Sequence, residues 1–504
     1  MARGAIPVLV GAGQAVSHWD GSTGPADAPS PLSMARAAAR AALDDTGVPA
    51  LAGQIETLAF VRTNEDSRPN PVHPNGRNAN LPGTLSREIG AQPRKAIYSM
   101  SGGQTPQKLV NEIAADIHAG ETECAMIVGS EANGASKTAR RAGLEIDWRD
   151  DADLDFEDRG FGPMLLTRNE IKHGMVAPPY FYALFETAIA HREGHTRSEH
   201  RKVMSQLFAP FSQVAAANPH AQFPVARSVE WLATPGLENR EIVDPFLKWH
   251  IAQDAVNLGA AVILMSEEKA DTLAIPPERR VYLHGAGEAN DDHISLRPDL
   301  DRSFAMKAAF DRALEQSGRT QADMSALDIY SCFPCAVFSA CDGLGIDWRH
   351  DPRALTLTGG LPFFGGPGNN YSLHAIAEMM ERLRARPGEF GLILANGGWM
   401  TKEAAGVYST TRPGRFIPAE APATPGARIA IDEAPVEGSL ETYTVIHGRD
   451  GPQQAIAFCR TPDGRRFIAN TEADGIELLR AEDSQIGRPV KARHADEVNT
   501  IVFT

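Results

Sequence analysis

The sequence predicts a duplicated α/β fold with a small all-β domain behind it. Three observations carry this expectation. Short apolar runs alternate with Ala-rich segments of helical spacing, the second part of the chain repeats the first, and past about Gly406 the texture changes to brief β-prone runs between turns.

Taken in order, Ile6-Pro7-Val8-Leu9-Val10-Gly11 reads as a buried strand stopped by glycine. Residues 33–46 have helical spacing and end at Gly47, a C-cap signal. A strand is expected over 55–61. A polar stretch over 62–82, rich in Asn, Pro and His, reads as a functional loop or an interface arm. Residues 95–99 form a strand that runs into Ser99-Met100-Ser101-Gly102-Gly103-Gln104, with a helix over 105–118 and a strand over 124–129. Residues 135–250 break the rhythm. A charged loop at 147–153 and two amphipathic helices near 180–193 and 198–217 predict an inserted helical lid. Strands resume at 258–265 and 280–284.

The repeat is specific. Ala37-Ala38 and Ala42-Leu43-Asp44-Asp45-Thr46-Gly47 recur as Ala308-Ala309 and Ala313-Leu314-Glu315-Gln316-Ser317-Gly318, each followed by a strand, at 55–61 and 327–330. A duplicated α/β unit should pack with pseudo-two-fold symmetry and place its site between the halves. The expected division is an N-terminal half over 1–270 carrying the lid at about 135–250, a C-terminal half over 271–405, and a barrel domain over 425–504. A Pro/Ala linker at 418–425 leads into β-prone runs at 438–447, 454–460, 465–470, 489–494 and 499–503. Asp463-Gly464 gives a hairpin signal between two of them. An antiparallel barrel of the oligonucleotide/oligosaccharide-binding type is the simplest reading.

Composition excludes several functions. At 504 residues the chain exceeds one core, and 42% hydrophobic with 22% charged residues is ordinary for a globular protein. A net charge of −15 argues against nucleic acid as a partner, for the barrel as for the rest. No run is long and apolar enough to span a membrane. The N-terminus enters a strand-like segment with no cleavage site. The five cysteines are few and odd in number, so no disulfide framework is expected and the cytoplasm is the expected compartment. Cys332 and Cys335 make a C-x-x-C with no second pair to complete a zinc site, and the pair reads as ending a strand. No metal is expected.

Helix starts opened by small residues present free N–H groups and a partial positive charge, which suits a nucleophile and an oxyanion. Ser99 to Gln104 stands at such a junction, and Ser331-Cys332-Phe333-Pro334-Cys335 is its counterpart in the second half. Two Gly-rich loops complete the set: Gly359 to Asn370, and Ala395-Asn396-Gly397-Gly398-Trp399.

On these residues the chain resembles the thiolases, and is most similar to the sterol-carrier-protein-type branch and to the thiolase-like type 1 proteins with an additional C-terminal β-barrel. The resemblance implies the layered α/β/α/β/α thiolase fold over about 1–405. Ser99 to Gln104 falls where the family has Cys-x-Ser-Gly-x-Gln, and Gly129-Ser130-Glu131 loosely on its Gly-Gly-x-Glu turn. Tyr330 to Phe333 falls on Asn-Glu-Ala-Phe or His-Asp-Cys-Phe, Gly365-Gly366-Pro367 on Gly-His-Pro, and Ala395 to Gly398 on Cys-x-Gly-Gly. The family's acyl-accepting Cys, activating His, proton-moving Cys and oxyanion residue are thus replaced by Ser99, Gly366, Ala395 and Tyr330.

The resemblance implies acyl transfer or C–C cleavage on a 3-oxoacyl-CoA or 3-keto acid, of the acetyl-CoA C-acetyltransferase kind, with coenzyme A as co-substrate and no permanently bound cofactor. Ser99, Cys332, Tyr330 and His374 are the candidate catalytic residues. Ser101, Gly102, Gly366, Asn396, Gly397 and Gly398 are the candidate ligand and oxyanion loops. A serine nucleophile needs a base, and His374, past Gly366, is the replacement in sequence. Against this, Ser99 can simply fill a vacated Cys position, His374 can be an ordinary helix residue, Cys332 can be core, and Glu131 can fix a turn. Phe363, Phe364 and Trp399 suit an aryl substrate or plain packing. No Lys/Arg cluster stands out as a phosphate site. A non-catalytic acyl-CoA-binding protein and a 3-oxoacyl hydrolase are the alternatives. The resemblance leaves a homodimer or a monomer open.

Overall fold

A computed structural model describes residues 4–504. Its main sheet has ten strands in the order Met324–Ile329, Phe390–Gly397, Lys402–Ser409, Val281–Asn290, Pro7–Val16, Leu258–Ser266, Cys124–Glu131, Thr57–Val61, Lys95–Tyr98 and Glu157–Asp158. Read outward from the seam between Val281–Asn290 and Pro7–Val16, the two sides repeat. In each half the first two pairings are antiparallel and the third is parallel. At the seam itself only Val8 with Tyr282 and Leu9 with Val281 are in register. The chain thus adopts the duplicated thiolase fold.

The repeated Ala-rich helices explain the repeated glycines. Helix Pro31–Thr46 starts at a Ser30 capping box and stops at Gly47 in the left-handed conformation, while Phe304–Ser317 starts at Ser303 and stops at Gly318 in the same way. A β-carbon on Gly11 or Gly13 would strike the carbonyls of Ala42 and Ala38. One on Gly285 or Gly287 would strike those of Ala313 and Ala309. Small residues on strand and helix together let each helix lie directly on its sheet.

Between the halves run helices Thr105–Ala119 and Tyr371–Ala385. Leu109, Ile113, Leu373 and Met380 pack there with strand residues of both halves, such as Ile127, Val262, Leu283 and Ile393. These helices begin at the loops predicted to carry the chemistry, so the central layer fixes their relative position.

The inserted segment folds as helices Pro178–Arg192 and Arg197–Ala217, with a hairpin of Glu241–Val243 and Phe246–Leu247. Strands Glu437–His447, Pro452–Arg460, Arg466–Thr471, Val498–Phe503 and Pro489–Ala495 close into a five-stranded barrel. The hairpin joins that barrel, Val243 pairing with Ile446. Asp463-Gly464 does sit in the turn between two antiparallel strands. Glu241, Asp244 and His447 come close enough together to resemble a metal trio. Arg197, Arg201 and Arg480 already neutralise the two carboxylates, so the cluster reads as ion pairing between lid, hairpin and barrel.

Three details differ from expectation. The strand before the C-x-x-C ends at Ile329, and Cys335 lies in the first turn of helix Pro334–Leu344. The sheet strand Lys402–Ser409 runs past the expected end of the second half at 405. Helix Leu81–Ile89, capped by Asn80, begins within the expected loop, because Pro82 suits a first helical turn.

Candidate active site

Ser99 follows strand Lys95–Tyr98 and is fully buried. Its hydroxyl accepts the Arg62 backbone N–H at 2.9 Å and donates to the Met100 carbonyl at 3.0 Å. A hydroxyl has one proton to give, and here the backbone takes it. The Arg62 guanidinium donates back to the Ser99 carbonyl at 2.8 Å and pairs with Asp158. Asn369 stitches this loop to the second half. It accepts from Gly102 N–H at 2.9 Å and donates to the Arg62 carbonyl at 2.7 Å and Ser67 Oγ at 2.8 Å. The Gly102 N–H is therefore already spent. Ser101 Oγ is buried without a partner, and its carbonyl accepts from Lys402 Nζ at 3.2 Å.

His374 does not join Ser99. It lies on helix Tyr371–Ala385, its Nδ1 2.7 Å from Gln14 Oε1 and its ring 5.0 Å from that of Phe364. Burial drops its pKa to about 3, so it stays neutral across the physiological range. The expected Ser99–His374 pair is not formed, because the turn of the helix aims the imidazole at the first strand of the other half.

In the second half, Tyr330 to Phe333 link strand Met324–Ile329 to helix Pro334–Leu344. The Asn396 side-chain nitrogen lies 3.7 Å from Cys332 Sγ and 3.1 Å from the Tyr182 hydroxyl, and its oxygen accepts from Met400 N–H at 3.2 Å. Tyr182 descends from the inserted helix Pro178–Arg192 and stacks on Phe333 with ring centroids 4.1 Å apart. Tyr330 meets Tyr371 edge to face. A β-carbon at Gly103 would run into the Tyr330 hydroxyl and the Asn396 carbonyl, so glycine there lets the two half-sites touch. Burial pushes the Cys332 thiol up to about 12, while the Tyr182 hydroxyl and the Phe333 backbone N–H favour its thiolate. Cys335 is used otherwise: its N–H donates to Glu186 at 2.7 Å and its thiol to the Tyr182 carbonyl at 3.4 Å.

Gly366 donates its N–H to the Gln253 carbonyl at 2.8 Å. Ala395 is buried in the sheet opposite Ala404. The Gly397 and Gly398 carbonyls both accept from Thr401 N–H at 3.1 Å, closing a tight turn in which Gly398 has φ 59°. Gly397 abuts Gln104, whose Oε1 is buried and unpartnered. Glu131 accepts the Asn64 N–H at 2.6 Å, and burial raises its carboxyl to about 8.

A cavity of about 410 Å³ opens beside Ser99 and Gln104 of the first-half loop, lined also by Lys108, Arg159, Lys402 and Glu403. Sequence reading missed Tyr182, Lys402 and Glu403, and held Asn369 only as part of the Gly359 to Asn370 loop. Glu403 is 2% exposed, and both its carboxylate oxygens are buried without partners. Burial holds its pKa well above the usual carboxylate range. Burial and nearby Lys108 lower that of Lys402. An acidic residue leading into the apolar run Ala404-Ala405-Gly406-Val407 was the available signal for Glu403.

Comparison with known proteins agrees with this architecture. Residues 417–497 match the model of the thiolase-like protein type 1 additional C-terminal domain. The chain is similar to a monomeric SCP2-thiolase like protein type 1 from Mycobacterium smegmatis, at 36% identity over 100% of both chains and a TM-score of 0.83. Human mitochondrial 3-ketoacyl-CoA thiolase shares the fold at 16% identity and a TM-score of 0.56, covering 81% of this chain and 99% of that one. An acetyl-CoA acetyltransferase of Syntrophomonas wolfei is 28% identical over 142 residues, 28% of this chain and 33% of that protein's own length. With one relative alike from end to end and the barrel matched by its own model, the chain belongs to the thiolase-like protein type 1 family.

Proposed function

We propose that this protein is a thiolase-like acyltransferase that cleaves or condenses 3-oxoacyl-CoA or a related 3-keto acid, with coenzyme A as co-substrate and Cys332 as the acylated residue. One observation carries the choice of Cys332. The Asn396 amide donates to both the Cys332 thiol and the Tyr182 hydroxyl, which leaves the Tyr182 proton free, and Tyr182 favours the Cys332 thiolate. Ser99 has its proton committed to a backbone carbonyl and no base beside it. The same donors suit the oxyanion that forms when a thiol adds to a carbonyl. Of the cations at the cavity, Lys108 and Arg159 pair with Glu288 and Glu112, which leaves Lys402, held by the Ser101 carbonyl, as the charge an anionic ligand would meet.

The protein is proposed to act as a monomer in the cytoplasm. The outer sheet edge at Lys95–Tyr98 is covered by Glu157–Asp158, which blunts it as a pairing surface. All five cysteines are free and buried, which suits a reducing compartment.

A non-catalytic acyl-CoA-binding protein is the second reading, favoured by burial of every thiol and the raised pKa this gives Cys332. A serine hydrolase draws no support, because no base reaches Ser99. Product analysis over a panel of 3-oxoacyl-CoA chains, with and without free CoA, tests the reading. Acyl-CoA that forms only with added CoA supports transfer. Free acid would indicate hydrolysis, and binding by calorimetry without any product would establish the second reading.

A further inference from the structure

Glu403 is the one residue, among those described, whose two carboxylate oxygens are both buried without a partner. Other buried carboxylates nearby are matched. Asp328 accepts from Leu357 N–H, Thr358 N–H and the Thr356 hydroxyl, and Glu186 from His200 and Cys335 N–H. Glu170 accepts from Thr167 and Ser295 N–H. A buried unmatched polar group requires a reason, and two such oxygens on one side chain require more than local packing.

Position supplies that reason. Glu403 pairs with Asn396 across the antiparallel strands Lys402–Ser409 and Phe390–Gly397. Directly opposed residues of such a pair project from the same face with β-carbons about 4.5–5.5 Å apart. Asn396 is the residue that touches the Cys332 thiol. Glu403 also lines the cavity with Ser99 and Gln104. Behind this wall, Arg297 donates through Nε and Nη2 to the Asp292 and Trp399 carbonyls and the Thr401 hydroxyl, its Nη1 is buried without a partner, and it makes no hydrogen bond to Glu403.

Resting on the acyl-transfer reading above, we propose that Glu403 is a catalytic residue that carries the proton from the Cys332 thiol to C2 of the substrate. Sulfur bonds to the C3 carbonyl carbon, the C2–C3 bond breaks, and its electron pair stays on C2 as an enolate. The carboxyl gives its proton to C2 from one oxygen and receives the thiol proton on the other. Acyl-Cys332 and an acetyl thioester result, with no atom gained or lost. Free CoA then takes the acyl group, and its thiol proton returns to Cys332. Such a relay needs a neutral carboxyl with both oxygens free. Burial and Asp291 favour the neutral form, Arg297 opposes it, and the other titratable groups facing it are Tyr330, Tyr182 and Cys332.

The test separates carbon protonation from thiol acylation. Wild type and Glu403→Gln are mixed with 3-oxohexanoyl-CoA, or with butanoyl-CoA, and butanoyl-Cys332 is followed by mass spectrometry. Both donors deliver the same acyl group, but only the first requires a proton on carbon. The proposal expects E403Q to slow acylation from 3-oxohexanoyl-CoA by about 100-fold or more, and acylation from butanoyl-CoA by less than about tenfold. Equal losses with both donors would make Glu403 merely structural, and no loss with either would also overturn the proposal. If wild type is acylated by neither donor, the acyl-transfer reading falls and takes this one with it.

Discussion

The Asn396 side-chain nitrogen lies 3.7 Å from Cys332 Sγ, across the junction where the second half's strands end. The same amide reaches the Tyr182 hydroxyl of the inserted helix at 3.1 Å. In this fold the loop of the first half contributes the usual nucleophile position, yet here the side-chain donors gather in the second half. That asymmetry within a duplicated frame is the centre of the account.

If Tyr182 helps hold the thiolate and the oxyanion, Tyr182→Phe should slow acylation of Cys332 about 10- to 100-fold, with little change in stability. Stopped acylation reactions resolved by intact mass measure this directly. An unchanged rate would remove Tyr182 from the site.

Ser99→Ala should leave acylation within about threefold of wild type, while orphaning the Arg62 N–H and costing roughly 1–3 kcal/mol of stability. Urea unfolding reads the second effect. A collapse of acylation in a folded S99A protein would return the nucleophile to the first half.

His374 and His250 are both buried, with pKa values lowered by burial to about 3. The unfolded chain protonates such groups near pH 6.5, so between pH 6.5 and 3 it binds more protons than the folded chain. Stability should therefore fall as pH drops through that window, by about 1.4 kcal/mol per pH unit for each histidine once well below pH 6.5. Urea midpoints at pH 7 and pH 5 should differ accordingly, and His374→Gln should reduce the difference. A midpoint insensitive to pH would contradict the burial.

Arg466, in the barrel, is fully buried. It donates to the carbonyls of Ser295 at 2.9 Å and Arg297 at 2.7 Å while pairing with Glu441. Arg297 forms part of the wall around Glu403, so the barrel braces the site from behind. Arg466→Met should cost about 3–5 kcal/mol by urea unfolding, because the carbonyls of Ile294, Ser295 and Arg297 and the Glu441 carboxylate lose their shared donor. A cost under about 1 kcal/mol would deny the barrel this role.

Light scattering coupled to size exclusion should give the monomer mass of 54.3 kDa. A dimer would mean that Glu157–Asp158 does not block the sheet edge.

Much of the fold was legible because its signals are periodic and repeated. The paired Ala-rich helices ending at Gly47 and Gly318 announced the duplication, and the run lengths of the tail announced five strands. The site was less legible. His374 follows the Gly-rich loop closely in sequence, but the direction a helix turns its side chain depends on tertiary packing, and here it faces Gln14. Tyr182 lies in an insertion with no motif around it, far in sequence from the Asn396 it bonds. Glu403 was hidden in a strand whose register could not be known before Asn396 was seen opposite it.

The most direct test of the central claim is peptide mapping after brief reaction of the full-length protein with a 3-oxoacyl-CoA, quenched in acid. The account predicts a single acyl group on Cys332 that disappears when free CoA is added. An acyl group on Ser99, or none at all where calorimetry shows the ligand bound, would contradict it.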